Sequence, residues 1–395
     1  MCQARLFADD SSIISTGTDL ISIENDVNLD LSSLHHWADD HDWLVTFNAN
    51  KTDAMLFTNR LFTNYPSLIF GNPQLTFTNT HKHLGVTFNS SGKWEDHINE
   101  IINKCAKMIA VMRKMKMKLS RNCLNTMYLS FIRPVLEYAD VVWDGCSLQN
   151  CNRLEKVQCE VARIVTGLTR SVSLDLLYKE VGWVPLSQRR KESKLITLFK
   201  IKNGFAPSYL YDLLPPLVGY EMQYQLRNRL DFSEPLCRLE IYKKSFIPSA
   251  VSLWNCLPIH IRNQTELNTF KRLVVKRANP VPYYYLVGDR LFSILHARIR
   301  NKCSNLNHDL FQNHIVNSPY CSCGEYDETA FHYFLKCPKF NNERADMIHS
   351  LHLNDLPIDI NSLLYGNDRM TVLKNRKLFE IVENFIKKSK RFTTG

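Results

Sequence analysis

Seven apolar residues at regular spacing limit what this chain can fold into more than any other feature. Trp94, Ile98, Ile101, Cys105, Met108, Met112 and Met115 recur at alternating steps of four and three. That spacing places all seven on one side of an α-helix, which must be covered by other elements. Charge on the same segment is uneven: residues 93–121 carry eight Lys/Arg and three acids, and all seven charges after Glu100 are positive. A helix that buries one side and presents cations elsewhere suits a polyanionic partner.

On the N-terminal side of this helix the chain reads as short strands around one helix. Runs 4–7 and 12–15 flank Asp9-Asp10 as a β-hairpin. Leu20, Ile23, Val27, Leu31, Leu34 and Trp37 then keep helical steps, with Asp19 placed to cap or precharge the helix start. Strands are expected at 43–47 and 54–57, and a hairpin over 67–77 around Gly71-Asn72-Pro73.

On the C-terminal side helices dominate. They are expected over 121–133, ending at Pro134; over 149–167, closed by Gly167; and over the basic stretch 179–203. A Pro-, Gly- and Tyr-rich stretch at 207–230 precedes a smaller unit at 241–276, strand then helix, holding Trp254 and Phe270. Helices at 291–302 and 374–391 bracket a cysteine-rich segment, 321–337. The class is therefore α+β, with four regions: 1–90, 91–205, 206–300 and 301–395.

A chain of 395 residues exceeds the usual single domain, and 45% apolar residues suffice for packed cores. Net charge is +10, and twelve cysteines are irregularly spaced. Without a secretory leader or a run of about 18 apolar residues, the expectation is a nuclear or cytoplasmic protein, not secreted, that meets no membrane.

Asp9 and Asp10 are adjacent carboxylates in a tight turn, where they repel each other unless solvent or a cation intervenes. Such a pair can hold Mg²⁺ for nucleotidyl transfer. An ordinary exposed turn is the plainer reading of the dipeptide alone.

The wider pattern adds to it. Phe7-Ala8-Asp9-Asp10, the helix ending near Trp37 and Trp43, and Phe47-Asn48-Ala49-Asn50-Lys51-Thr52 stand in sequence. His83-Leu84-Gly85-Val86 follows, then Trp94 with His97-Ile98, Tyr128 to Pro134, Leu136-Glu137-Tyr138-Ala139 and Trp143. Together, over about residues 3–170, they resemble the reverse transcriptase (RNA-directed DNA polymerase) of non-LTR, LINE-type, jockey-like retrotransposons. The resemblance implies a partial polymerase palm at 1–90, made of hairpin, helix and strands, and a helical thumb at 91–205. It also implies Asp9 as a Mg²⁺ ligand with Asp10 as its weaker companion, and Lys51 beside the incoming triphosphate. Leu84 and Gly85 serve the backbone path. Its partners are an RNA template and a DNA primer, with deoxynucleoside triphosphates as substrates of the intact ancestor. A two-metal site, its ions roughly 3.5–4 Å apart, needs a third carboxylate from an earlier strand. Only eight residues precede Asp9, so the chain is expected to be a truncated copy that binds Mg²⁺ weakly and does not polymerise alone. Unpaired strand edges at 1–90 should favour association. Oligomeric state is not legible.

Cys321-x-Cys323, His332 and Cys337 supply soft ligands within 17 residues, suited to a tetrahedral Zn²⁺ that orders a short loop. The one-residue gap is tighter than usual, and the alternative is two surface cysteines near an unrelated histidine. The segment Cys-x-Cys-Gly…Glu-Thr…His-x-Phe-x-x-Cys-Pro resembles the Cys-Cys-His-Cys knuckle of the same elements. Lys104, Lys107, Arg113, Lys114, Lys116, Lys118, Arg121, Arg189, Arg190 and Lys191 are the candidate phosphate contacts. A nucleic-acid-binding protein without catalysis, derived from the thumb and knuckle, is the alternative function. His35-His36, His81, His83, Trp254 and Tyr283 to Tyr285 read as surface or core residues.

Overall fold

The structure, a computed structural model, describes residues 2–8, 10–40, 47–48, 51–58, 60, 64–221, 230–278, 280–286 and 288–392. It divides into two compact units, Met1–Asn99 and Glu100–Gly395.

In the first unit, β1 (Gln3–Phe7) pairs antiparallel with β2 (Asp10–Ile14), Phe7 facing Asp10. Ala8 takes φ +52° in the turn, a left-handed conformation that costs a non-glycine residue roughly 1–2 kcal/mol. Helix α1 (Leu20–Asp40) starts where Asp19 Oδ2 accepts the Ser22 N–H at 2.9 Å. Its side chains Val27, Leu31 and Leu34 pack on Ala54, Leu68, Phe70 and Leu75. Asn28 fastens the same junction, donating to Ser67 O and accepting from Ile69 N, both at 2.9 Å.

The expected palm sheet is not continuous among the described residues. Three separate two-stranded pairs are present: β1–β2, the parallel β3 (Asp53–Ala54) with β4 (Thr76–Phe77), and the antiparallel β5 (Thr80–His83) with β6 (Val86–Asn89). The strand expected at 54–57 contracts to Asp53–Ala54, since the chain leaves extended pairing after Ala54. The strand expected at 43–47 lies mostly outside the described residues, although the Phe47 ring packs tilted against Phe70, centroids 5.5 Å apart. The 67–77 hairpin forms, with Leu75 N bonded to Leu68 O and Gly71 at φ +66°. Leu84 and Gly85 turn between β5 and β6 with φ +45° and +80°, the paired positive angles of a tight hairpin.

The stripe found in the sequence is the buried face of α2 (Glu95–Met115), where Ile101, Cys105 and Met112 are buried. Pro134 does not end the next helix, as expected, but continues it. A π-turn, Tyr128–Ile132, separates α3 (Arg121–Met127) from α4 (Arg133–Glu137). Pro134 therefore sits in the first turn of α4, where its missing N–H leaves no bond broken. After α5 (Asp140–Trp143), α6 (Leu148–Thr166) is capped by Ser147 and closed by Gly167 at φ +78°. A Cβ at Gly167 would lie 2.6 Å from Ile294, so glycine is required twice over. The basic helix expected over 179–203 is two helices, α7 (Leu174–Val181) and α8 (Leu186–Lys202), divided by Gly182 at φ +75° and Pro185.

The expected strand at 241–276 is absent among the described residues. Helices Glu240–Lys244, Phe246–Asn255, Ile259–Arg262 and Leu267–Val274 take its place. Trp254, Phe270 and Phe199 stack at their centre. A second core joins helices Arg290–Arg300, Asn341–Leu353 and Val372–Ser389 around Leu351, Leu378, Val382 and Phe385, with Tyr284 packed into it. Glu180 of α7 connects these parts through buried ion pairs to Arg121 at 2.8 Å and Arg300 at 2.7 Å. Burial alone would raise its pKa, but the two guanidiniums prevail and hold it at about 2. No helix among the described residues is long and apolar enough to cross a membrane.

Candidate metal centre and basic helix faces

Two local devices bring four ligands together. The first is a turn after Cys321: Gly324 N bonds to Cys321 O at 2.9 Å and Gly324 takes φ +86°. Cys321 N bonds to Tyr326 O at 2.8 Å, and Tyr320 bridges Asp327, so the chain reverses as a short ribbon. That sharp turn lets a one-residue gap present both thiols.

The second device is a π-turn, His332–Lys336, closed by Cys337 N bonded to His332 O at 2.7 Å. On an α-helix, residues five apart point to different sides. The wider π-turn, closing at five residues, brings position 337 back over position 332. Thr329 Oγ1 accepts the His332 N–H at 3.1 Å, and Arg344 Nε donates to Phe334 O at 3.0 Å and its other arm to Cys337 O. These bonds fix both ends of the turn.

The candidate ligand atoms of Cys321, Cys323, His332 and Cys337 all lie within 4.8 Å of one another. Cys321 Sγ and Cys337 Sγ are 3.6 Å apart, and Cys323 Sγ lies 3.3 Å from His332 Nε2. Zinc–sulfur bonds of about 2.3 Å and zinc–nitrogen bonds of about 2.0–2.1 Å give tetrahedral edges of roughly 3.8 and 3.6 Å. The four residues can therefore hold a zinc ion with little movement. Cys321, His332 and Cys337 are buried and Cys323 is half-buried. Burial pushes the Cys321 thiol up to about 12 and raises Cys337 as well. Cys323 moves the other way: burial opposes it, but backbone N–H groups and the neighbouring thiols draw it down. A tetrahedral S₃N donor set held by backbone is the arrangement of a closed structural site, with no ligand position left over.

Glu328 and Thr329, part of the sequence pattern without an assigned role, brace the site. Glu328 is buried, accepts the Asn307 N–H at 2.7 Å and pairs with Arg391 at 2.6 Å. Arg344 and Arg391 were not singled out in the sequence, because neither spacing nor composition marks an arginine that binds a distant carbonyl or carboxylate.

Asp10 and Lys51 are both exposed; Asp10 lies in β2 and Lys51 N bonds to Asn48 O at 2.9 Å. Asp9 lies outside the described residues. The only described groups of three or more His, Cys, Asp or Glu side chains close enough to share a metal are the four near the C-terminus.

The ten candidate phosphate contacts separate sharply. Lys104, Lys107, Lys114, Lys116, Lys118 and Lys191 are exposed, and exposed Arg113 pairs with Glu160. Arg121 and Arg190 require correction: both are buried, Arg121 on Glu180 and Arg190 on Asp144 at 2.5 Å. Arg189 is half-buried and gripped by Glu137. Their cationic spacing reflects internal pairing, which a helical charge count cannot distinguish from a solvent face.

No family model matches the chain. It is 24% identical over 170 residues to a probable RNA-directed DNA polymerase from transposon X-element of Drosophila melanogaster. The match spans 42% of this chain and 17% of that polymerase. The similarity supports a reverse-transcriptase relationship.

Proposed function

We propose that this chain is the template- and primer-handling part of a non-LTR, jockey-like transposon RNA-directed DNA polymerase, with a structural zinc at Cys321, Cys323, His332 and Cys337. The partial likeness to the X-element polymerase carries this reading, and the exposed cations of α2 support it. In this assignment 1–90 is palm, 91–205 thumb, 206–300 connection and 301–395 the zinc-bearing end. Lys104, Lys107, Lys114 and Lys118 contact phosphates of an RNA template and DNA primer, giving a steep salt dependence. Zinc, once bound, orders the 321–337 loop and takes no part in chemistry.

Asp9 and Asp10 are assigned as magnesium ligands of nucleotidyl transfer, with Lys51 facing the triphosphate. Two carboxylates by themselves bind Mg²⁺ weakly, and a two-metal site needs a third from a neighbouring strand. Band-shift titration with an RNA–DNA primer–template tests the reading. Tight binding at low salt that weakens steeply as salt rises supports it. No binding at 50 mM salt overturns it. Binding intact in Asp9→Ala with no rescue of synthesis by a fingers-and-palm fragment favours the non-catalytic nucleic-acid-binding alternative; rescue lost in Asp9→Ala favours the polymerase.

A further inference from the structure

The second unit contains an open groove of about 1150 Å³, lined by the end of α2, by α6 and by the helix Arg290–Arg300. It was not visible in the sequence, because its walls come from segments more than a hundred residues apart. Its charges are unbalanced. The acids at its wall are Glu155 and Glu160, and both are engaged: Glu160 holds Arg113, while Glu155 accepts the Tyr178 hydroxyl and the Leu186 N–H at 3.1 Å. Against them stand Lys116, Lys156, Arg163, Arg170, Arg290 and Arg298, none paired with a carboxylate among the described residues.

Two of these arginines are held by backbone. Arg290 donates to Lys116 O at 2.9 Å and to Ile164 O at 2.8 Å; Arg298 Nε donates to Gly167 O at 2.8 Å. Carbonyls at helix ends orient the guanidiniums without neutralising them. Burial and the nearby Arg121 charge lower the Arg290 pKa to about 10, so it remains charged at neutral pH. Arg163 Nε is buried and has no hydrogen-bond partner among the described residues. Met117, Leu168, Leu174 and Leu291 supply aliphatic lining, and among the described residues no aromatic ring lines the groove.

We infer that this groove holds the phosphate backbone of a single-stranded nucleic acid and does so without reading its bases. The inference rests on the nucleic-acid reading above and locates a site within it. Unpaired, pre-oriented guanidiniums suit phosphate oxygens. The described lining is cationic and aliphatic, in contrast to single-strand grooves that combine charge with aromatic rings. The volume lies just above the roughly 300–1,000 Å³ of a small-molecule pocket, suited to a few linked nucleotides and too small to enclose a duplex.

The test is anisotropy of fluorescein-labelled oligo-dT with the full chain over a salt series. Lys156→Gln with Arg170→Gln alters two exposed, unpaired groove residues. Lys104→Gln with Lys107→Gln, phosphate contacts of the proposed function that lie on α2 and do not line the groove, is the comparison variant. Each phosphate contact contributes about 0.7 to the single-strand salt slope, so the groove pair should lower its magnitude by about 1.4 while thermal stability stays unchanged. Mixed-sequence oligonucleotide should bind like oligo-dT. A groove variant with unchanged slope, beside an α2 variant that loses binding, overturns the inference and leaves the proposed function standing. A strong base preference overturns the claim that bases go unread. No binding by the parent chain at low salt overturns both readings.

Discussion

The chain gathers candidate metal ligands twice, and the two places differ in what stands around them. At Cys321–Cys337 four side chains converge within 4.8 Å because a left-handed glycine and a π-turn aim them inward, and Arg344 and Thr329 bind the turn's backbone. At the β1–β2 hairpin Asp10 is exposed, and Leu6, Phe7 and Ile14 are exposed beside it. Ligand type alone therefore does not make a site. A second element must aim the ligands at one another; the π-turn does so for His332 and Cys337, whereas α1 packs on Ile13 of the hairpin and leaves Asp10 exposed.

Metal removal should break this contrast most severely. Structural zinc in small sites is worth roughly 10–16 kcal/mol of binding free energy at neutral pH. Chelation should lower the melting temperature of the chain and expose the 321–337 loop to protease. Asp10→Ala should show the same response to chelator as the parent. A melt indifferent to chelator would count against the site.

The next effect concerns the frame around the C-terminal half. Glu180→Ala leaves Arg121 and Arg300 buried without a counter-charge and should cost about 3–5 kcal/mol by urea denaturation. The hairpin contains no equivalent buried pair among its described residues. Protonation does the same by degrees. The Glu180 pKa is depressed to about 2 from an ordinary 4.5, so its stabilisation is complete above about pH 4.5 and is lost as pH falls towards 2. That contribution is on the order of 3 kcal/mol. Acid titration of Glu180→Gln should be flatter across that window, and an unchanged profile would reject the assignment.

Arg344→Ala sharpens the comparison at smaller scale. It frees the Phe334 and Cys337 carbonyls without touching a ligand atom, and outer-shell losses of this kind reduce metal affinity about 10–100-fold. Competition with a chromogenic zinc chelator measures it. Smallest of all, Asp10→Ala should change stability by no more than about 0.5 kcal/mol, as expected for an exposed side chain.

What could be read from the sequence follows the range of the interaction. The α2 stripe, the Asp19 start of α1, the Gly167 cap and the Gly71 turn are local, and each stands where periodicity or turn chemistry put it. The cysteine–histidine set was legible because both devices that shape it lie within 17 residues. Pro134 misled because a π-turn shifts the hydrogen-bond register just upstream, and no residue type marks such a turn. Arg121 and Arg190 misled for a different reason: their partners, Glu180 and Asp144, lie 59 and 46 residues away. Helical charge patterns show where cations stand along a helix, and burial decides whether they reach solvent.

Cobalt substitution of the intact chain tests the central claim most directly. One Co²⁺ per chain, with thiolate charge-transfer bands and the d–d absorption of a tetrahedral site, is the expected result. The spectrum should vanish in Cys337→Ser, persist in Asp10→Ala and be displaced by one equivalent of zinc. An octahedral spectrum, or one equally strong in Cys337→Ser, would contradict the account.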